Sequence, residues 1–529
     1  MGWNVDSDYI RGIFLVLVNP VKRAYLALES WFNISFGTEW NPLYHLGTLS
    51  FFLFWVILVS GLYLFIPFHG SLSGAYESVE YITHDQWYAA GIMRSLHRYA
   101  SDAVVITVLL HMFKEFASGR YRGFRWFSWV TGVPNLWAII ALGITGYWLV
   151  WDELAQYVAI GSARLMDALP FIPATMTRNF VAGEMTDRFF ILIEFLHLLG
   201  QPLILFFMLW IHVKRLSNVN INPPRGLAAG TFIALLALSL FKPAVSQAPA
   251  NLSTMPQTLQ IDWFYLNVYP LLDYWPEGYT WVLTIGITSL IMILPWIPPK
   301  KEGPVAVVDL DHCNGCGLCF DDCPFDAITI QARSDGKKFE KEVVVSPELC
   351  GSCGICAGSC PSSNPFRSSK TELKTGIDMP QLTVDELRNK TNEAIAAMDG
   401  EVKILVYGCE HGLNVKRLER NDTKGLRLIC SGMIPPTLVE YALKQGADGV
   451  MVIGCRQNDC FYRFGNRWTK KRFAGERNPI LRGRADRDRI RQHGGSETDK
   501  NAIERDLVKF RAELLELNQA DEVSSEQLG

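Results

Sequence analysis

Apolar residues run in long blocks through the first 300 positions and in short, interrupted groups through the rest. Six blocks are apolar over about the 20 residues a bilayer-spanning helix needs: roughly 46 to 67, 93 to 113, 128 to 150, 189 to 213, 226 to 241 and 279 to 297. The fifth is short. Residues 9 to 32 instead predict an amphipathic helix lying on the membrane surface. The early apolar run Ile13 to Val18 meets Pro20, Lys22 and Arg23 rather than a cleavage site, so no signal peptide is expected. Pro295, Pro298 and Pro299 close the apolar part. Further on, Val402 to Tyr407 and Gly449 to Ile453 read as strands and Pro436 to Gln445 as a helix. The expected fold is multidomain: an all-α transmembrane bundle over 1–300, a small α+β cysteine-bearing domain over 301–366, a linker over 367–400, and a small α/β domain with a basic, helical tail over 401–529.

Composition sharpens this division. Of 529 residues 49% are hydrophobic and only 19% charged, against roughly 25% charged in ordinary soluble chains. The net charge of -3 argues against a nucleic-acid binder. Basic residues collect in alternate loops: Arg11, Lys22 and Arg23; Lys114, Arg120, Arg122 and Arg125; Lys214, Arg215 and Arg225; Lys300 and Lys301. The other loops hold Glu77, Glu80, Asp85, Asp152, Glu153, Asp262 and Asp273. The positive-inside rule then puts both termini on the cytoplasmic side of a prokaryotic inner membrane. All 12 cysteines lie after residue 312 at short spacings, which fits thiolates around metal in a reducing compartment, not a secreted disulfide scaffold.

Histidines carry the chemistry of the apolar half. His97 and His111 are 14 residues apart in the second block, and His197 and His212 are 15 apart in the fourth. Both separations are close to four helical turns, so each pair lies on one helix face about 21 to 22 Å apart. Two such helices running the same way can clamp two stacked haems by bis-imidazole ligation. A single membrane histidine is as well read as a packing residue; four at matching spacing are not. Gly47 and Gly61, and Gly132 and Gly146, repeat the 14-residue separation on the first and third blocks, where bare backbone gives a porphyrin edge room.

The runs Arg94-Ser-Leu-His97-Arg98, Trp129-Val-Thr-Gly132 and Gly143-Ile-Thr-Gly146-Tyr-Trp, with Pro202 after His197, resemble the four-helix core of cytochrome b6 and, more broadly, cytochrome b. The resemblance implies that His97 pairs with His197 around the outer haem b and His111 with His212 around the inner one. It also implies propionate partners at Arg94, Arg98 and Lys114, a homodimer through this part, and a quinone substrate. An arginine at a membrane edge can equally just snorkel. Asn251 to Leu272 is similar to the family loop whose Pro-Glu-Trp-Tyr motif lines the outer quinol site. Here Ile261 and Asp262 replace its Pro and Glu, so the resemblance makes Asp262 the quinol proton acceptor, while a solvated loop carboxylate is the plain alternative. No spans follow the sixth, so the C-terminal part of that family's membrane domain is expected to be missing. Where plastid-type relatives carry a haem-bonding Cys, this chain reads Tyr44-His45-Leu46; two haems are expected, and a third near His45 is not favoured.

Cys313, Cys316, Cys319 and Cys323-Pro324 form a C-x2-C-x2-C-x3-C-P run, which Cys350, Cys353, Cys356 and Cys360-Pro361 repeat. In such runs three thiolates wrap one [4Fe-4S] cluster and the fourth reaches the other. The pattern resembles bacterial ferredoxins with two clusters, implying Cys360 on the first and Cys323 on the second; zinc-ribbon spacing differs. Cys409, Cys430, Cys455 and Cys460, in Tyr407-Gly-Cys409, Ile429-Cys430-Ser-Gly432 and Gly454-Cys455, resemble the small iron-sulphur subunit of methyl-viologen-reducing hydrogenases. That implies one [2Fe-2S] cluster and docking to a cytoplasmic flavoprotein, heterodisulphide-reductase-like or NAD(P)H-linked. A further cysteine usual in that family is Gly412 here, and zinc is the structural rival. From Arg467 to Arg491 ten Lys or Arg face three acidic residues, a stretch for anionic lipid, an acidic partner or plain solvation. No dinucleotide fingerprint, phosphate loop or Ser/His/Asp triad stands in a convincing context.

The expected function is an electron-transfer subunit of a quinone-linked oxidoreductase. Its rival is a membrane anchor and docking module for a soluble iron-sulphur complex.

Overall fold

The computed structural model describes residues 7–172, 176–180, 185–297, 303–367, 372–456, 458–482 and 486–526. It divides into two compact units. One holds residues up to 22, 45–214 and 219–300; the other holds 23–44, 215–218 and 301 onward.

The first helix, α1 (Ser7–Trp40), is longer than the expected 9–32 and runs through Pro20; a left-handed Gly37 (φ 68°) kinks its end. The helices α2 (Leu46–Phe65), α3 (Gly74–His84), α4 (Ile92–Ala117), α5 (Trp126–Val150), α6 (Glu153–Asp167), α7 (Asp187–Phe195), α8 (Gln201–Val213), α9 (Arg225–Phe241) and α10 (Glu277–Ile293) follow. A π-turn, Leu196–Gly200, joins α7 to α8. Asp152 starts α6 by accepting a 2.9 Å hydrogen bond from the Ala155 N–H, one of the donors a helix start leaves open. The sequence suggested neither α3 nor α6, whose amphipathic faces are too polar to read as spans.

Among the described residues four helices are long and apolar enough to cross a membrane: Leu46–Phe65, Gly123–Val150, Asp187–Val213 and Glu277–Trp296. The other two expected spans, α4 and α9, are helices as well. The helix α9 has only 17 residues, and α4 has the length but carries Arg94, Arg98, Asp102, Lys114 and Glu115 along it. The inner faces of these helices meet in a core that includes Leu53, Leu96, Val105, Trp148, Phe190 and Tyr265. Outward faces leave large apolar side chains exposed, Trp55, Leu62, Phe206, Trp210 and Ile285 among them, as lipid-facing helices require.

In the second unit the cysteine runs fold as a pair of like halves. The elements are β1 (Val307–Val308), α11 (Leu318–Asp322), β2 (Ile328–Ala332), β3 (Lys341–Val345), α12 (Ile355–Ser359) and β4 (Ile377–Asp378). Antiparallel pairing joins β2 to β3 and β1 to β4. Gly317 (φ 80°) and Gly354 (φ 73°), each just after the second cysteine of its run, start α11 and α12 in the left-handed region that glycine reaches cheaply. The segment expected as a linker is folded: Ile377 and Asp378 pair with β1, and α13 (Val384–Ala396) begins at Thr383, whose side chain accepts from the Glu386 N–H.

A four-stranded, all-parallel sheet completes this unit. Its strands are β5 (Ile404–Cys409), β6 (Thr423–Leu428), β7 (Gly449–Gly454) and β8 (Ile490–Gly494), in the order β6-β5-β7-β8, with α14 (Pro436–Lys444) and α15 (Gly465–Ala474) between them. The buried strands β5 and β7 read as continuous apolar runs; β6 and β8 are polar enough to have escaped the sequence reading. The charged tail is α16 (Lys500–Glu526), which buries Ile503, Leu507, Phe510 and Leu514 against Ile404, Val406, Met451 and Ile453.

Five of the ten basic residues of this stretch pair with carboxylates inside the unit. Arg472 and Arg477 both pair with Asp322, Arg482 with Glu440, Arg489 with Asp486 and Asp521, and Arg491 with Asp506 and Glu513. Arg472 is fully buried, donating to Gly432 O at 2.8 Å and to Ser359 Oγ at 2.6 Å. It ties the cysteine-run halves to the parallel sheet.

Candidate functional site

The four histidines meet in two pairs. His97 on α4 and His197 in the π-turn have ring centroids 6.4 Å apart, room for one iron held by both Nε2 atoms at metal–nitrogen distances of about 2.0 Å. His111 and His212 interact one level away, beside Glu115. Hydrogen bonds occupy the other ring nitrogen: His97 Nδ1 lies 2.9 Å from Ile57 O and 3.1 Å from Ser60 Oγ, His197 Nδ1 3.1 Å from Thr145 Oγ1, and His212 Nδ1 3.2 Å from Thr131 Oγ1. Such a partner fixes the tautomer and directs Nε2 to the metal.

Each repeating glycine faces one of these rings. A Cβ at Gly61 would lie 2.9 Å from His97 Cε1, at Gly146 2.9 Å from His197 Cε1, at Gly132 3.2 Å from His212 Cε1 and at Gly47 3.4 Å from His111 Cε1. The hydroxyl partners were missed by the sequence reading, yet Ser60, Thr131 and Thr145 each immediately precede one of the glycines. That dipeptide repeat was a usable signal.

The expected propionate partners divide. Arg94 bonds Thr83 Oγ1 and, at 2.9 Å, Ser246 Oγ. Lys114 is buried near His111 and Glu115. Arg98 is held by two carboxylates, Asp102 and, at 2.9 Å, Asp262. Asp262 is buried rather than solvated; Tyr147 Oη donates to its Oδ2 and the Phe264 N–H to its Oδ1 at 2.7 Å. Tyr147 and Asp102 were not singled out from sequence, because their distance from Asp262 along the chain hides the contact. His45 lies just ahead of α2, its carbonyl accepting from Leu49 N and Thr48 Oγ1.

In the second unit Cys313, Cys316, Cys319 and Cys360 line one void that is partly open to solvent. Cys323 falls instead with Cys350, Cys353 and Cys356. Burial pushes the Cys319 thiol up to about 12, and Cys353 and Cys356 upward as well. Thiols this reluctant to ionise become thiolates by binding metal. Cys356 lies close enough to Cys319 to feel its charge, so the two sets adjoin.

The last four cysteines stand where β5, β6 and β7 end. Cys409 and Cys455 end or follow the two central strands, with their sulphurs 3.6 Å apart. Strand order reverses there, and ligands of open parallel sheets bind at such points. Hydrogen bonds from Cys430 and Cys455 hold Cys409 and Cys460 well below the usual thiol value and push the two donors well above it. The four sulphurs thus form a closed ring. Bare backbone at Gly465 makes room for it, since a Cβ there would lie 2.1 Å from Cys430 Sγ. Buried Tyr462 lies close enough to both this ring and Cys353 to feel Cys409, Cys430 and Cys353.

Arg456, the residue after Cys455, is buried and anchors part of α1. It reaches Glu29 at 3.0 Å, Ser30 at 2.7 Å, Tyr44 at 3.3 Å and Asp499 at 2.7 Å. Burial works against its charge, but Asp499, Tyr44 and Glu29 together hold its pKa above the ordinary value.

Comparison with known proteins matches three families in series: cytochrome b/b6/petB over residues 34–220, the 4Fe-4S dicluster domain over 312–364, and the delta subunit of methyl-viologen-reducing hydrogenase over 400–518. The cytochrome b6 of Heliobacterium mobile is 30% identical over 189 residues, spanning 35% of this chain and 86% of that protein. The cytochrome b subunit of the menaquinol:cytochrome c reductase of Bacillus subtilis (strain 168) is 27% identical over 198 residues, 35% and 86% of the two chains. Cytochrome b of Rhodospirillum rubrum is 24% identical over 294 residues, 49% and 71%. A solved hyperthermophilic respiratory Complex III chain is 21% identical with a TM-score of 0.40, covering 49% of this chain and 77% of that one. The paired histidines and an identity that spans most of the heliobacterial protein converge on one conclusion: this chain belongs to the cytochrome b/b6 family, as a membrane protein of electron transport in which haem b is joined to 4Fe-4S iron-sulphur centres.

Proposed function

We propose that the protein is the membrane subunit of a redox complex that passes electrons between a cytoplasmic flavoprotein or iron-sulphur oxidoreductase and the quinone pool. His97 with His197 and His111 with His212 would hold two b haems. Cys313, Cys316, Cys319 and Cys360 would hold one [4Fe-4S] cluster, Cys350, Cys353, Cys356 and Cys323 a second, and Cys409, Cys430, Cys455 and Cys460 a [2Fe-2S] cluster. When bound, these groups supply reversible one-electron chemistry; the chain supplies spacing, orientation and proton access. The observation that carries the reading is the pairing of four histidines at two levels, each ring against its own glycine, in a chain that also gathers three thiol sets. The adjoining thiol sets, with Tyr462 near both the ring and Cys353, support a continuous path through the second unit.

Ser60, Thr145 and Thr131 hold their imidazoles so that Nε2 stays free. Asp262 would exchange a proton with quinol, as a titratable group at the membrane edge can. Clusters of this kind being commonly more reducing than quinone, the preferred direction is quinone reduction, and the thiol-bearing unit belongs on the cytoplasmic side of the inner membrane. The bundle further offers a dimer contact through its lipid-facing surface.

A His111→Ala protein tests this. It should lose the haem shared with His212 and its quinone-linked turnover while the iron-sulphur spectrum persists. Full turnover in that variant would contradict the proposal.

A further inference from the structure

Two carboxylates share one guanidinium beside the loop that carries Asp262. Arg98 Nη2 lies 2.9 Å from Asp262 Oδ2 and its Nη1 meets Asp102 Oδ1, four residues along the same helix. The Arg98 guanidinium also lies 5.3 Å from the centre of the Tyr147 ring. The loop is pinned a second time where Tyr265 Oη donates to Ser101 O at 2.7 Å, next to Asp102. Gly143 permits this approach, since a Cβ there would lie 2.1 Å from the Tyr265 ring.

Two carboxylates and one guanidinium leave a single uncompensated negative charge in a largely buried cluster, which is costly in low dielectric and is removed by taking up one proton. The groups that face Asp102 and Asp262 from the surrounding elements are Arg98 and Tyr99 on α4, Tyr147 on α5 and Tyr265 on the loop. Among these, Arg98 carries the positive charge. Every hydrogen-bonding oxygen of Asp262 is already engaged, by Tyr147, Arg98 and Phe264. A proton that arrives on Oδ2 displaces Tyr147 or Arg98, whereas Oδ1, bonded by Phe264, has a lone pair left for it; when Oδ2 takes the proton, Arg98 can compensate by turning wholly to Asp102 or back.

We propose that Asp102 is a second proton-exchanging carboxylate of the quinone site, linked to Asp262 through Arg98. This rests on the quinone-linked reading above. Conversion of a quinol to its quinone releases two electrons, taken by one-electron acceptors of the haem class, and two hydroxyl protons, which need bases. Asp262 takes the first proton: the quinol O–H bond breaks and a carboxyl O–H forms. That proton then passes to Asp102, the Arg98 contact shifts to the ionised Asp262, and Asp262 is a carboxylate again for the second. Quinone reduction runs the same transfers backward. Asp102 acts through Asp262 and need not touch the quinone.

The test uses the full chain in its native complex, with a short-chain quinol as donor and the rate of b-haem reduction followed from pH 5 to 9. Asp102→Asn should keep its haem spectrum, slow quinol-driven reduction at least about tenfold, and flatten the pH dependence of the rate. Asp102→Glu should restore most of both. A wild-type rate and pH profile in Asp102→Asn, with Asp262→Asn impaired, would overturn the proposal while leaving the quinone site standing. Loss of haem in both the Asn and Glu variants would overturn it too, by making Asp102 structural. A wild-type haem that quinol fails to reduce, though dithionite reduces it, would overturn the quinone site and this proposal together.

Discussion

A Cys360→Ala protein should lose the first iron-sulphur centre, not the one its own run surrounds. Cys360 belongs by sequence to the second run, yet it lines the void with Cys313, Cys316 and Cys319. Cys323 crosses the other way, to Cys350, Cys353 and Cys356. Iron content should fall by about four atoms per chain. The double variant with Cys313→Ala should be no worse, because both residues serve one cluster, whereas the double variant with Cys353→Ala should lose both centres. Non-additivity of this kind separates shared from independent sites. If instead Cys360→Ala and Cys353→Ala affect one centre together, the crossed assignment is wrong.

The second large effect concerns Arg456. Its guanidinium is buried with Glu29 and bonded to Asp499. Replacing it by Met takes the Arg456 cation away from buried Glu29, and removing one partner of a buried pair costs about 3–5 kcal/mol. The Arg456→Met protein should therefore unfold at clearly lower temperature in a detergent melt and release the 23–44 segment to limited proteolysis. Adding Glu29→Gln should recover part of the loss, since the buried charge goes with it. An unchanged melt in Arg456→Met would mean that the pair contributes nothing net.

Periodic features were the ones legible from residues alone. The spacings of His97 to His111 and His197 to His212 follow the helix period, so they predicted the two levels the structure shows. The cysteine runs were equally plain because their spacing is local. Contacts set by the folded chain stayed hidden: Glu29 meets Arg456 across 427 positions, Tyr147 meets Asp262 across 115, and Arg472 meets Asp322 across 150. For the same reason the 467–491 stretch read as a basic surface when five of its arginines pair with carboxylates elsewhere in the unit. Hydropathy marked each of the six apolar helices, the short α9 among them.

The central claim is that this chain conducts between a soluble donor and quinone. An anaerobic optical spectrum of the purified complex, recorded before and after adding quinol and, separately, the reduced soluble partner, addresses it most directly. Reduction of bound b haem by either donor is the predicted result; absence of haem, or haem that stays oxidised with both, would contradict it.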